Sequence, residues 1–356
     1  MTPAWICAAI ALSGLAMVCA NLGVFPALTP ARDNERDVVV ACVAMRNEAR
    51  RAARCIASLL AQPEIAAVVV CDDGSTDGTA DIADRLARAG SRVHVVRASG
   101  SKRVALAAAA AYAGRFACPY LFFTDADVEL DSGAIGSLIR YAHSSGAAAV
   151  TAWPRLTNGS WCDKLLTPAI ALLLMHALPM RLTRAGNRKI TAGNGQLFLV
   201  ETAAYAAAGG HAAVDSPVED VALAQNLTRA GFPPALASAS RIAGAEGYAS
   251  PQETVCGLGR SLYYGGGAVA CIAFAAWQIA AFVLPFALLA LEPRPAAIAL
   301  CASALSRWIV AARMREPLLF ALPVPLGALA SAAAACAAAI FGLRGSLTWR
   351  GRPLNA

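Results

Sequence analysis

The sequence predicts an α/β domain with a mostly parallel sheet, flanked by transmembrane helices. Short, unbroken, apolar runs rich in β-branched residues at 37–44 and 66–71 each end in a polar or acidic turn, with a helix-like segment behind each. Strand, turn, helix, strand is the pattern of βαβ units wound into a parallel sheet. Composition predicts the flanking helices. The 356 residues are 58% hydrophobic and 15% charged, far from soluble averages, and the charges concentrate in the middle of the chain.

Taken in order, Thr2 to Pro30 contains no charged residue, and Trp5 to Leu28 is long enough to cross a bilayer core that needs about 20 apolar residues. No basic residues precede this core as they would in a secretory signal, so an uncleaved span is expected. Arg32 and Arg36 follow directly and put the junction on the cytoplasmic side. The strand Asp37 to Ala44 then leads through Met45-Arg46-Asn47-Glu48 into a helix ending at Leu60. A second strand, Ala66 to Cys71, runs into Asp72-Asp73-Gly74-Ser75-Thr76-Asp77-Gly78-Thr79, followed by a helix at 79–89 and a strand at 92–96. Lys102 and Arg103 open an alanine-rich helix reaching about Gly114; they read either as a solvated first turn or as phosphate contacts.

Tyr120-Leu121-Phe122-Phe123-Thr124-Asp125-Ala126-Asp127 is an apolar strand that delivers two carboxylates at its end. On a strand, residues i and i+2 share a side, so Asp125 and Asp127 can converge on one divalent cation and the diphosphate it carries. Open α/β sheets bind ligands at this carboxyl edge, where the Asp72-Asp73 turn would meet the pair. Taken alone, an Asp-x-Asp is more often an acidic turn.

A helix near 132–144 and a strand at 147–152 follow. Leu165 to Met180 is apolar but short for a span and carries Pro168 and Pro179, so it is expected to lie in the membrane interface, a buried core helix being the competing reading. Arg181, Arg184, Arg188 and Lys189 behind it suit lipid headgroups or a lipid phosphate. His176 reads as a packing residue. Thr191 to Val200 reads as a strand, and Glu219-Asp220 opens an amphipathic helix at 221–230, where acids also serve as helix caps. Ala268 to Leu291 and Pro317 to Leu343 read as spans, while Ala296 to Ala312, interrupted by Arg307-Trp308, reads as a span or an interfacial helix. The expected organisation is therefore a membrane segment at 1–31, a polar domain at 37–267 with an interfacial segment at 165–180, two or three spans within 268–343, and a basic tail at 344–356. Either span count strains the positive-inside rule, so the side of the tail stays open.

The net charge of +7 suits an anionic substrate or lipid surface. No dense basic patch with interleaved aromatics is present, which argues against nucleic acid. Eleven cysteines without a C-x-x-C pair point to reduced, packing cysteines and a cytoplasmic polar domain.

Together these residues resemble family 2 glycosyltransferases, the inverting, nucleotide-sugar-dependent class with the GT-A fold, over roughly Val38 to Gly267. The family's P-x-R-N-E-like turn is matched by Ala44-Met45-Arg46-Asn47-Glu48, with Ala in place of Pro, and its V-D-D-G-S-x-D-G-T by the sequence from Cys71 to Thr79. D-A-D is matched at Asp125-Ala126-Asp127, and G-G-H with E-D-x-x-L-A at Gly209-Gly210-His211 and Glu219 to Ala224. The resemblance implies nucleotide contacts at Asp73 and Asp72, and a donor site that includes Glu48, Lys102, Asp125 and Arg260. It also implies Mg²⁺ or Mn²⁺ on Asp127 and Asp125, and a general base at Asp220. Processive members carry Q-x-x-R-W; Gly257-Leu258-Gly259-Arg260-Ser261 keeps only the Arg, so polymer synthesis is not expected.

The flanking spans and the Trp349-Arg350-Gly351-Arg352 tail are similar to membrane-bound members acting on carotenoid- or hopanoid-associated lipids. The implied activity is transfer of one sugar from a nucleotide diphosphate, UDP-linked, to a membrane lipid by a multi-pass protein of the bacterial inner membrane. Transfer to polyprenyl phosphate is the alternative enzyme, and a catalytically silent membrane scaffold is the alternative outside enzymes.

Overall fold

The structure is a computed structural model describing residues 1–31, 38–90, 92–187 and 190–346, together with the backbone of 348–349 and 352–353. Arg32, Arg36, Asp37, Arg188, Lys189, Arg350 and Gly351, which figure in the expectations above, lie outside the described residues. The chain forms two compact units, one of Val24–Arg155 and Met180–Glu246, the other of Met1–Gly23, Leu156–Pro179 and Gly247–Ala356.

The first unit is the α/β domain. Its strands are β1 (Val39–Met45), β2 (Ile65–Asp72), β3 (Val93–Arg97), β4 (Tyr120–Asp125), β5 (Val128–Leu130), β6 (Ala149–Trp153), β7 (Arg155–Thr157, at the boundary with the second unit), β8 (Phe198–Glu201), β9 (Ala235–Ser238) and β10 (Ala243–Glu246). Seven form one sheet in the order β3-β2-β1-β4-β8-β6-β9. All neighbours in it pair in parallel except β8, which runs antiparallel to both β4 and β6.

The sheet is buried on both faces, and alternation along β1 shows how. Val39, Ala41 and Val43 pack with the helices Ala52–Leu60 and Ala134–Ser145, while Val40 and Cys42 face the helices Lys102–Ala113 and Glu219–Arg229. Two covered faces explain why the strands are continuously apolar.

Three local expectations differ from the structure. The N-terminal helix is Pro3–Leu22 and stops six residues early. Gly23 weakens it and Pro26 has no N–H to continue it. The chain beyond lies extended beside β9, with Leu28 N–H donating to Ser238 O and Ser238 N–H to Pro26 O at 2.8 and 2.9 Å. Second, Asp127 is not on a strand. β4 ends at Asp125, and Asp127 sits in the turn before β5, so strand alternation is not what orients it. Third, only Phe198–Glu201 of the 191–200 stretch is strand. The glycines and Asn194 before it form a loop bonded to the sheet by side chains: Asn194 N–H donates to Thr151 Oγ1 at 2.8 Å, and Thr124 Oγ1 donates to Gln196 O at 2.6 Å.

In the second unit, four helical stretches among the described residues are long and apolar enough to cross a membrane by length and composition: Pro3–Leu22, Pro251–Leu288, Pro293–Met314 and Val324–Leu343. The second begins well before Ala268, because Ser250-Pro251-Gln252-Glu253 is a capping box. Ser250 Oγ accepts from Glu253 N–H at 3.2 Å and Glu253 Oε2 from Ala249 N–H at 3.1 Å. The second compact unit resumes at Gly247. Its helix breaks at Gly266-Gly267, where Gly267 takes φ 71°. The 165–180 segment comprises the end of the helix Trp161–Leu166, the helix Pro168–Ala177 and the chain beyond it. Asn21 on the first helix donates to Met175 O and Leu178 O at 2.9 and 2.8 Å, capping the end of that helix. His176 packs edge-on to Trp277, with ring centroids 5.4 Å apart.

Candidate active site

The carboxyl ends of β1, β2 and β4 bring acidic turns together, as parallel topology requires. After β1, Asn47 adopts φ 53° and reaches the β2 turn: its Oδ1 accepts from Thr76 N–H at 2.9 Å and its own N–H donates to Ser75 Oγ at 3.0 Å. Glu48 N–H donates to Thr79 Oγ1 at 2.7 Å, so the two sequence motifs fold as one cradle. Asp72 and Asp73 are both buried. The Asp72 carboxylate accepts from Ser75 N–H at 3.3 Å and closes its own turn. Asp73 Oδ1 accepts from Gly100 N–H at 3.0 Å, in the loop after β3, and Arg46 Nη1 donates to Asp73 O at 2.8 Å.

Asp127 is positioned by the small antiparallel pair of β5 and β10, where Val128 faces Ala245 and Glu246 N–H donates to Asp127 O at 2.9 Å. Its carboxylate faces inward, and Oδ1 is buried with no hydrogen-bond partner among the described residues. Burial first, then Asp125 and Glu48, push its pKa up to about 7, against Arg51 and Lys102. Glu48 is engaged by Arg51 at 3.2 Å, and Arg51 also pairs with Glu246 at 3.1 Å.

Lys102 is the centre of the acidic group. Its Nζ lies 2.7 Å from Asp125 and 2.6 Å from Glu219. The side chain retains 37% of its surface, yet the ammonium is enclosed by carboxylates. Burial lowers its pKa, but Asp125, Glu219 and Asp220 outweigh that and hold the ammonium well above the ordinary lysine value.

Asp220 stands in the first turn of the helix Glu219–Arg229. Its Oδ2 accepts from Gly195 N–H at 2.7 Å and its Oδ1 from Val221 N–H at 2.8 Å. Burial first, then Glu219, push its pKa up to about 6, against Lys102 and those two amides. The 193–196 loop approaches this helix so closely that a Cβ on Gly193 would sit 2.4 Å from Asp220 O, and one on Gly195 would sit 3.2 Å from Lys102 Nζ. Glycine here is a spatial requirement.

Of the residues expected from sequence, Lys102, Asp125 and Asp220 form one cluster, with Asp127 and Glu48 in the electrostatic field around it and Asp72 and Asp73 on the adjoining turn. Arg260 lies on the helix Pro251–Phe282 of the other unit. Two neighbours of the cluster are not legible in the sequence: Glu219 has the local pattern of a helix cap, and Gly195 falls in a stretch that reads as strand, the small-residue run Thr191-Ala192-Gly193-Asn194-Gly195 being the available signal. His211 packs behind the site: its Nδ1 is 2.9 Å from the Tyr205 hydroxyl, its ring stands against Phe123 at 4.6 Å, and burial depresses its pKa to about 3.

The donor set fits a divalent cation in two respects. Asp127 offers a buried, unpartnered carboxylate oxygen, and a side-chain ammonium already sits on Asp125 and Glu219. Among the described residues no three His, Cys, Asp or Glu side chains form a group that could by itself hold a metal ion.

The family description Glycosyl transferase family 2 matches residues 40–198. Succinoglycan biosynthesis protein ExoU of Rhizobium meliloti (strain 1021) is 38% identical over 97 residues, 27% of this chain; the match spans 28% of that relative's length. A mannosyltransferase from Pyrobaculum calidifontis, solved in complex with GDP-Man and Mn²⁺, shares the fold at a TM-score of 0.54 and 17% identity, covering 96% of this chain and 99% of its own. The match over 40–198, together with the mostly parallel sheet, makes that stretch of the chain similar to glycosyl transferase family 2 and supports a glycosyltransferase.

Proposed function

We propose that this protein is a membrane-bound inverting glycosyltransferase that moves one sugar from a nucleoside diphosphate, UDP-linked, to a lipid acceptor at the cytoplasmic face. The observation that carries the proposal is the convergence of Asp125, Lys102, Glu219 and Asp220, from three separate stretches of chain, at the carboxyl edge of the sheet. Four helices of spanning length support membrane attachment. The structural relative's GDP-Man and Mn²⁺ support a nucleotide-sugar donor and a divalent ion.

In this account Asp73, with Asp72 behind it, binds the nucleoside, and Lys102 moves from Asp125 toward the diphosphate. Mg²⁺ or Mn²⁺ on Asp127 and Asp125, when bound, neutralises charge on the leaving diphosphate. Asp220 takes the proton of the acceptor hydroxyl as its oxygen attacks the anomeric carbon. The bond from that carbon to the diphosphate oxygen breaks with its electron pair leaving on the phosphate, so the configuration inverts. A pKa raised to about 6 keeps Asp220 ionised at neutral pH yet more basic than an ordinary carboxylate. Arg260 is assigned a further diphosphate contact by the resemblance. Arg181 and Arg184 suit the headgroup region, and would hold the phosphate if the acceptor were a polyprenyl phosphate.

The test is release of nucleoside diphosphate from a panel of UDP- and GDP-sugars by the purified full chain in lipid nanodiscs. Release that requires both a divalent ion and a lipid extract is expected. Nucleotide binding without release from any donor in any extract would favour a silent scaffold.

A further inference from the structure

The helix Lys102–Ala113 opens with two cations and no acid in its first turn, the reverse of what the macrodipole favours at that end. Its start is already capped by Ser101 Oγ, which accepts from Val104 N–H at 3.4 Å, so neither cation is needed to begin the helix. Each is held instead by the stretch of chain that leads into Asp220. Arg103 Nη1 donates to Val214 O at 2.6 Å, and Lys102 Nζ lies 2.6 Å from Glu219 Oε1.

Lys102 shares its ammonium between Glu219 and Asp125, the latter at 2.7 Å. The two carboxylates are not equivalent. Asp125 ends β4 at the sheet edge, keeps 28% of its side-chain surface and is the one assigned to a divalent ion. Glu219 keeps 10%, and the 193–196 loop backs it so closely that a Cβ on Gly195 would sit 3.5 Å from its Oε1. A divalent ion and an ammonium on the same Asp125 oxygen repel each other, so Lys102 gives up Asp125 when the ion binds. A lysine ammonium on its flexible stem has no fixed position of its own. Glu219 is then the carboxylate within hydrogen-bond distance that keeps Lys102 at the site.

We infer that Glu219 is a positioning residue for donor binding: it anchors the Lys102 ammonium for the diphosphate once Asp125 is engaged by the metal. The inference rests on the transferase reading, which supplies both the diphosphate and the ion.

The test is a double-mutant cycle read by titration calorimetry on the full chain in lipid nanodiscs, with UDP and with GDP in the presence of Mn²⁺. Glu219→Gln keeps the shape and removes the charge. It should weaken binding of the recognised nucleotide about tenfold in the wild-type background, and by no more than about twofold in Lys102→Met, because Glu219 acts through that ammonium. Glu219→Asp draws the carboxylate back by one methylene. Its loss should be about threefold, again absent in Lys102→Met, and it decides the matter if the Gln variant does not fold. Equal losses in both backgrounds would overturn the inference. A lowered kcat with unchanged nucleotide affinity would do the same, since it would attach Glu219 to Asp220 instead. A wild-type chain that binds Mn²⁺ but neither nucleotide would overturn the transferase reading and this inference with it, whereas wild-type binding that Glu219→Gln leaves intact would overturn this inference alone.

Discussion

Replacing Asp220 with Asn removes a charge and changes almost nothing in shape, which makes its two effects separable. Asp220 Oδ1 and Oδ2 each accept a backbone N–H, at 2.8 Å from Val221 and 2.7 Å from Gly195. An Asn keeps one acceptor and turns an NH₂ toward the other amide, so the fold should lose about 1–3 kcal/mol. The chemistry should lose more. A positioned general base contributes about 10²–10⁴-fold, or about 2.7–5.4 kcal/mol of barrier. The expected outcome is a kcat lowered by that factor, with metal-dependent UDP binding retained within a few-fold.

The pH profile adds a second readout. The base works only when deprotonated, so with a pKa pushed to about 6, log kcat/KM should rise with unit slope below that pH and flatten above it. The Asn variant should lose the slope. Measured as nucleotide release against pH, turnover by Asp220→Asn within about threefold of wild type would refute its role as base.

Three further outcomes follow from the same geometry. Asp127→Ala removes the buried, unpartnered oxygen, and should abolish both Mn²⁺-dependent UDP binding, read by titration calorimetry, and transfer. Lys102→Met leaves Asp125 and Glu219 without their cation; Mn²⁺ binding in the absence of nucleotide should tighten about tenfold, the effect of ~1.4 kcal/mol of competing ion pairing in a partly exposed site, while UDP binding weakens. Gly193→Ala puts a Cβ 2.4 Å from Asp220 O and must displace the base by a fraction of an ångström or more, so kcat should fall about 10²-fold with donor KM little changed.

Much of this was legible in the sequence because buried parallel strands and sheet-edge turns are local patterns. β1, β2, β4 and their turns were readable from apolar runs ending in Asn47, Asp72, Asp73 and Asp125. The helix that carries Asp220 was readable from its amphipathic spacing. What stayed hidden depends on distant partners. Glu219 has the local look of a helix cap, and only the folded chain brings Lys102 to it. The loop before β8 has strand-like flanks, but Thr124 and Thr151 on other strands hold it irregular so that Gly195 can reach Asp220. Strand alternation does not account for Asp127: the β5–β10 pair, distant in sequence, sets its orientation. The end of the N-terminal helix is not marked by hydropathy, which continues through Phe25 and Leu28, residues spent on the α/β domain instead.

The central claim, transfer of one sugar to a lipid at the Asp125, Lys102 and Asp220 cluster, is tested most directly by the product. Proteoliposomes of the full chain are incubated with labelled UDP- and GDP-sugars and Mn²⁺, and the organic phase is analysed by mass spectrometry. The expected result is a lipid gaining one hexose-type residue from one donor, absent with Asp220→Asn. Label that stays wholly in the aqueous phase for every donor, while the nucleotide still binds, would contradict it.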